Sequence, residues 1–431
     1  MAVTTNWRIE VGYYDNGSTF TTTDFTSRTL GLTVDHFTDL GVIGTGQAVV
    51  TLNNNDGALT PNAGGTYSGT DWFERALLIF CDVQNDTQTH VSKVFAGIID
   101  EFDVQDDGIT STVTIAAVDL LQSAARQQIQ TIATLLESKP SAAIEALADP
   151  DQLTNNTVMP NFGETLRPNG KLSVSLESPS ITRQLDIDSA DVSASPVGDY
   201  LANAVVTCGL TAVWPGAFVG PSGVIPGTPT GHQEVFVVEN AQRSSLSTYT
   251  FAENPTGKEL PYRNLERTYS LDQLTTAARI ERLDNGYVAG AQTAQAKYGS
   301  RLRQYLNASN SDTDTFFDAI NWVLRFNDPV YSATKLQVTA SMIEQTLPDT
   351  YFATWSFLLS AKNGVWAGAA VEFTPAGRPS AITDHTVIVG RTIKASPSDT
   401  TVTLTLRPSS SYGTFTLDSA ALGILSVNRL A

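Results

Sequence analysis

Basic side chains are scarce in this chain. Its 431 residues carry 26 Lys and Arg against 44 Asp and Glu, a formal net charge of −18. A protein that coats DNA or RNA needs a cationic face to neutralise phosphates, so the charge argues against that role. It does not argue against a nucleic acid sliding past an acidic wall without sticking. Charged residues of either sign reach only 16%, below the roughly 25% of ordinary soluble domains. The polarity comes from Thr, Ser, Asn and Gln, which favours sheets and loops over long charged helices. Cysteine is almost missing: Cys81 and Cys208 are the only two. They are too few for a disulfide framework or a thiolate zinc site, and both are expected to be buried thiols. No apolar run approaches a membrane span, Ala76–Phe80 being typical of the longest. The start, Met1–Trp7, lacks the basic flank and apolar stretch of a secretory signal. The expectation is a mature chain that begins near residue 1 and is made in a cytosol. Hydrophobic residues make up 41%, enough for real cores, and the length calls for about two to four structural units.

The first stretch reads as β. Arg8–Tyr13, Leu30–Val34 and Ala48–Leu52 alternate polar and apolar residues, the mark of half-buried strands. The third ends in the turn cluster Asn53–Gly57. Further strands fit Leu77–Val83, Lys93–Phe102 and Ser111–Ala116, the last two joined by the hairpin turn Asp106-Asp107-Gly108. Such a series predicts a small barrel or sandwich. Leu121, Ala125, Ile129, Ile132 and Leu136 then recur at helical spacing, which predicts a helix over 118–136. Shorter helices fit Ala142–Ala148, with Pro140 near its start, and Val197–Cys208, stopped by Gly209. Lys171–Leu176 and Glu234–Val238 read as strands, and Trp214–Pro229 as an exposed loop.

Beyond 271, strand and loop are expected up to Asn310. Ser311 then caps a helix whose apolar face is Phe316, Phe317, Ile320, Val323 and Leu324 and which Asn327-Asp328-Pro329 ends. Phe317 is expected to matter for folding, with this helix bracing the second β unit. Strands follow at Leu336–Ile343, Tyr351–Leu359, Ala369–Phe373, His385–Ile393 and Thr401–Arg407. The chain thus divides into an N-terminal β unit with a helix (1–130), an inserted α+β and loop unit (131–270), a connecting segment with a helix at 312–327 (271–330) and a C-terminal β unit (331–431). The end units share a pattern: strand, glycine, continued strand, turn, alternating strand. Gly97 and Thr112-Val113-Thr114-Ile115 stand in one, Gly390 and Thr401-Val402-Thr403-Leu404 in the other. An internal repeat and a chance likeness of two Thr-rich hairpins both remain open readings.

Catalytic chemistry is hard to find. His36, His90, His232 and His385 form no metalloprotease helix motif. Gly231-His232-Gln233-Glu234 offers two ligand types beside a Gly/Pro loop and reads as surface. Gly65–Gly69 has the wrong spacing for a nucleophile elbow. Gly41–Gly46 lacks the Lys-Ser/Thr ending of a phosphate loop and reads as a turn between strands. Asn53–Asp56 starts like a calcium loop, but the glycine comes one place early and the closing Glu is absent. Asp186-Ile187-Asp188 reads as a solvated loop. Paired carboxylates for glycoside hydrolysis are compatible with the composition but no pair is singled out. Tyr351, Phe352, Trp355, Phe357 and Trp366 read as sheet core. No catalytic, cofactor-binding or metal-binding residue is therefore assigned, no cofactor is expected, and the chain is not expected to be an enzyme.

Four phrases in order carry a family likeness: Val49–Pro61, Val94–Asp100 followed by Val118-Asp119-Leu120-Leu121, Asn285-Gly286-Tyr287 with Ala296–Arg301, and Leu417–Ala431. Together they resemble minor tail proteins of long-tailed phages, especially those infecting actinobacteria, and more narrowly the baseplate hub. The resemblance covers both ends and the centre, not residues 150–260. It implies a mainly β chain whose two similar terminal units form a pseudo-sixfold ring in a homotrimer at the tail tip. That ring would lie below the tail tube and give passage to DNA without specific binding. It also implies distal tail protein, tape measure protein and other tip proteins as partners, a virion location with assembly in the host cytoplasm, and no membrane span. No room is seen for a downstream lysin extension. The alternatives are the hexameric distal tail protein and a tail component that binds or cleaves cell-wall carbohydrate.

Overall fold

The computed structural model describes residues 4–15, 19–39, 42–119 and 248–408, apart from short interruptions, with residue 122 and separate strands at 135–138, 173–176, 185–187, 212–219 and 233–239. The architecture is mainly β, as the composition predicts.

The first unit has seven strands: β1 (Thr4–Asp15), β2 (Thr19–Asp24), β3 (Thr29–Asp39), β4 (Val42–Asn53), β5 (Ala76–Gln84), β6 (Thr89–Asp106) and β7 (Ser111–Asp119). Their pairing order is β2-β1-β5-β6-β7-β4-β3, every neighbour antiparallel. Alternation decides the faces, because successive side chains leave a strand on opposite sides. Leu32, Val34 and His36 of β3 are buried while Asp35 and Phe37 are exposed. Tight turns close the hairpins. Gly108 sits at φ 81°, where a side chain would be strained, and Asp107 accepts from the Ile109 and Thr110 amides.

The middle of the chain contributes β8 (Leu135–Ser138), β9 (Ser173–Leu176), β10 (Leu185–Ile187), β11 (Ala212–Val219) and β12 (Gln233–Glu239). Several expectations change here. Residues 118–119 end β7 and 135–138 form β8, so the helix expected over 118–136 has strand at both ends. Val118 is already held in the ladder opposite Gln47 and Ile98. Trp214-Pro215-Gly216 lies in β11, not in a loop; a register shift after Pro215 accommodates its missing donor. Asp186 and Ile187 belong to β10, paired with β8. The expected helices Ala142–Ala148 and Val197–Cys208 lie outside the described residues, as do Pro140, Gly209, His232 and Cys208.

The later chain supplies β13 (Thr248–Ala252), β14 (Leu260–Pro261), β15 (Arg263–Thr268), β16 (Ala277–Arg282), β17 (Tyr287–Ala291) and β18 (Leu302–Ala308). Strands β19 (Ser332–Thr339), β20 (Gly368–Phe373), β21 (Ile382–Ala395) and β22 (Thr400–Pro408) complete the set. Three helices lie among them: α1 (Ala294–Tyr298), α2 (Ala340–Thr346) and α3 (Phe352–Leu359). Strands β17-β16-β18 form a small separate sheet. Helical residues 316, 317, 320, 321 and 323 lie beside it, since Ile320 Cγ2 would lie 2.7 Å from a Cβ on Gly290 of β17. That helix therefore braces this small sheet. Phe316, Ile320 and Leu324 are buried on one face, whereas Phe317 is 46% exposed. The core role expected of Phe317 falls to Phe316.

Residues 352–359 form α3 where a strand was expected. The run FATWSFLL has no period of two: Trp355, Leu358 and Leu359 are buried and Phe357 is half exposed, a helical spacing. Likewise the strand expected over 336–343 turns into α2 after Thr339.

The second β unit has the order β13-β20-β21-β22-β19-β15. It repeats β1-β5-β6-β7-β4-β3 of the first. The match holds at single-residue register. Ile99 opposite Ala117 and Glu101 opposite Ala116 bracket a bulge in β6–β7. Ile388 opposite Leu406 and Gly390 opposite Thr405 bracket a bulge at the same place in β21–β22. Asp106 opposite Ser111 corresponds to Ala395 opposite Thr400. The alternating Thr112–Ile115 and Thr401–Leu404 thus occupy equivalent positions, as the sequence hinted. Gly97 and Gly390 do not: Gly390 is equivalent to Glu101. The units differ where β13 runs parallel to β20 while β1 runs antiparallel to β5. Among the described residues no closed barrel forms. The outer edge of β3 is taken instead by β21 of the second unit, so one sheet continues through both.

Candidate functional surface

The joint between the units is built by β3 and β21, antiparallel from Leu32 opposite Ala395 to Phe37 opposite Gly390. Because side chains alternate, it has a dry side and a wet side.

On the dry side lies a polar centre among apolar neighbours. Arg391 is buried, and its Nη1 donates to the carbonyls of Leu358 and Ser360, each at 2.7 Å. These carbonyls end α3, where a cation is favoured by the helix dipole. Arg391 Nη2 lies 2.9 Å from His36 Nδ1. A guanidinium has no lone pair to offer, so His36 accepts through Nδ1 and is neutral, with its proton on Nε2. Burial, reinforced by the Arg391 charge, holds the His36 pKa well below its ordinary value. Burial also pulls Arg391 down, to about 9, which leaves it charged at neutral pH. Asp119 closes the far side: it accepts from the Gly46 amide and, at 2.6 Å, from the Gln122 amide. A Cβ on Gly46 would lie 3.0 Å from Asp119 Oδ2 and 3.1 Å from His36 Cδ2, so a larger residue would press these two side chains apart by a few tenths of an ångström.

The helix α3 belongs to the second half of the sequence but rests on β5 and β6 of the first unit. Trp355 Nε1 donates to Thr5 Oγ1 at 3.4 Å, Ser356 hydrogen-bonds Ser92, and the Ala361 amide donates to the Lys93 carbonyl at 3.0 Å. Trp7 Nε1 reaches Thr400 Oγ1 at 2.8 Å. At one end of the joint Asp39, buried, is clamped by Arg407 Nη1 at 2.6 Å and by Arg303 Nη2 of β18 at 3.2 Å. One carboxylate thus ties both β units to the small sheet. One hydrophobic core runs through all three.

The wet side is a broad polar face. Glu101, Ala116, Val49, Thr33, Lys394 and Thr401 stand directly opposite one another in turn across β6, β7, β4, β3, β21 and β22. A second row runs Gln47, Asp35, Thr392, Thr403 and Gln337. Thr392 Oγ1 donates to Asp35 Oδ1 across the joint at 2.5 Å. These rows are hydroxyl-rich and carry charges of both signs, although the whole chain is strongly acidic.

The other residues weighed for chemistry are spread out. His36 lies in the joint, His90 is half-buried beside Phe357, and His385 is exposed. Among the described residues no cluster of three or more His, Cys, Asp or Glu is arranged to hold a metal. Asn53–Gly57 is a turn: Asn54 Oδ1 accepts from the Leu59 amide, its Nδ2 donates to Thr60 and Ser111, and Gly57 adopts φ 65°. Arg28 engages Asp56 with two hydrogen bonds and holds its carboxyl down at about 2. Of Gly41–Gly46, residues from Val42 onward already belong to β4. Tyr67, partly buried, packs with Phe25 and Trp72 against the core. Cys81 is buried and unpaired as a disulfide, and burial raises its thiol pKa. The His36–Arg391 centre escaped sequence reasoning because its members are 355 residues apart. An arginine placed between Gly390 and an apolar strand interior was the only local sign.

No family model and no curated protein matches the sequence. Solved structures do match in fold. The tail protein from Neisseria meningitidis MC58 superposes with a TM-score of 0.51 at 12% identity, over 95% of this chain and 100% of its own. The 43 kDa tail protein of prophage MuSo2 from Shewanella oneidensis gives a TM-score of 0.51 at 9% identity, over 94% and 99%.

Proposed function

We propose that this chain is a structural subunit of a phage tail, the hub at the tail tip, where three copies form a ring around the path of the DNA. The observation that carries the reading is the repeated strand order of the two β units, joined edge to edge into one sheet. A chain that holds two like units side by side lets three copies present six, matching a sixfold tube above and a threefold tip below. The chain-length likeness in fold to tail proteins supports the same role.

The polar face is the surface suited to the passage. Threonine hydroxyls and interspersed charges of both signs offer phosphates no continuous cationic track, so DNA slides by with little adhesion. No chemistry is required of the chain in this role. Its partners are the tube-side ring protein, the tape measure protein and other tip components, and its place is in the virion after assembly in the host cytoplasm. The second β unit does not keep to the division expected at 270, because it takes in β13 and β15 from before that residue.

Native mass measurement of the purified chain, with averaged images of intact tail tips labelled on it, tests the reading. Three copies in a ring on the tail axis are expected. Six copies would reject the hub in favour of the distal ring protein, and a position away from the axis would reject the channel.

A further inference from the structure

Among the described residues the repeat leaves two strand edges without a partner strand, and they are equivalents of the two that pair inside the chain. Within the chain, residues 32–37 of β3 pair with 390–395 of β21. The equivalent of 390–395 is 101–106, the outer arm of β6, which pairs with β7 on one side only among the described residues. The equivalent of β3 is β15, which pairs with β19 on one side only among the described residues. Their registers correspond: Arg263 stands opposite Gln337 and Thr268 opposite Ser332, as Gly31 stands opposite Thr51 and His36 opposite Gly46. Exposed edges of this kind invite pairing with another chain.

We propose that β15 of one copy adds to the β6 arm of a second copy, antiparallel, in the register that β3 and β21 use within one chain. Tyr269 then faces Glu101, Thr268 faces Phe102 and Arg267 faces Asp103. This rests on the ring reading above and names the joint between its subunits.

Three observations fit that occupant. The first is charge. The arm carries Glu101, Asp103 and Asp106 in exposed positions; on β15, Arg263 is exposed, Arg267 is already held by Asp384 at 3.0 Å, and Glu266 is answered by Lys335 at 3.5 Å. Positions 103 and 267 correspond to those of Thr392 and Asp35, which bond across the internal joint, so Arg267 would there be shared between Asp384 and Asp103. The second is apolar exposure. Tyr269 is 64% exposed and leans edge-on against Tyr331, itself 54% exposed. At the matching site Phe37 lies across Gly390. The third is incomplete burial of the arm. Val104 is only partly buried, whereas its equivalent Ile393, covered by β3, is fully so. The ladder of β15 shifts register twice between Arg263 and Arg267, around Asn264 with φ 53°, so the regular addition runs from Arg267 to Tyr269. The contact joins unlike patches of two copies, a head-to-tail geometry that makes a ring when it closes.

The test is the full chain carrying Glu101→Cys and Tyr269→Cys together, oxidised by air and run on a non-reducing denaturing gel. Either single variant and the shifted pair Asp103→Cys with Tyr269→Cys serve as controls. A covalent ladder that stops at three chains in the matched pair alone is expected, and Asp103→Lys in the unmodified chain should weaken assembly. No ladder in a chain whose native mass is still threefold would overturn the strand pairing and leave the ring standing. A ladder that stops at two, or runs on without closing, would keep the pairing and overturn the threefold ring. A monomer with no ladder overturns both.

Discussion

Lowering the pH should act on the His36–Arg391 centre in a way that one substitution isolates. His36 is neutral in the fold, faces the Arg391 guanidinium at 2.9 Å, and has its pKa held well below the ordinary value by burial and by that charge. The unfolded chain takes up the proton near pH 6.5, before the folded chain does. A base with a depressed folded pKa contributes stability that is present above the unfolded pKa and is lost as the pH falls below it. Between the unfolded pKa and the depressed folded one the slope reaches about 1.4 kcal/mol per pH unit. His36→Asn places a carboxamide oxygen near the Nδ1 position and does not titrate. It gives up the ring packing against Phe95, centroids 6.3 Å apart, at a cost of about 1 kcal/mol at pH 7.5. Urea melts of both proteins at fixed concentration, in half-unit pH steps from 7.5 to 5.0, give the comparison. Below pH 6.5 the native protein should lose stability faster than the variant, by up to about 1.4 kcal/mol per pH unit. Parallel curves would refute the neutral, buried histidine and the hydrogen-bond direction drawn from it.

The helical face at 316–324 separates two neighbouring phenylalanines. Phe316→Ala should cost about 3–5 kcal/mol, because Phe316 is fully buried, whereas Phe317→Asp should stay within about 0.5 kcal/mol because Phe317 is 46% exposed. Denaturant midpoints of the pair check this, and a severe effect at Phe317 would reverse the assignment of the face. Gly97→Ala should destabilise by about 1–3 kcal/mol, since the added methyl would lie 2.2 Å from the Val118 carbonyl oxygen. An unchanged thermal midpoint in that variant would deny the close approach of β6 and β7.

Much of the sheet was legible because strands with one wet face write their period into the sequence. Thr401–Leu406 alternates without a fault and lies in β22. The turn at Asp106–Gly108 was equally plain. Residues buried all round were not. The run at 352–359 is apolar on most sides because α3 is packed between the two units, and an apolar run shows no period by which to choose helix or strand. Phe317 was misread because two adjacent phenylalanines look equally apolar, and only the neighbour across Gly290 decides which one is inside. The joint itself depends on pairing between β3 and β21, which no local window contains. The repeat was visible in the Thr-rich hairpins, although the glycines that drew attention to it proved not to correspond.

The span of the internal joint bears on how the protein is made. The β3 edge is formed early in synthesis, yet its partner emerges some 355 residues later. At about 5–20 residues per second, a ribosome leaves that edge uncovered for roughly 20–70 seconds. Until then a row of unsatisfied backbone donors and acceptors is open to other nascent chains. Slow, long-range pairing of this kind is where folding and aggregation compete. A cell producing many copies at once would gain from a chaperone that shields the edge until β21 arrives.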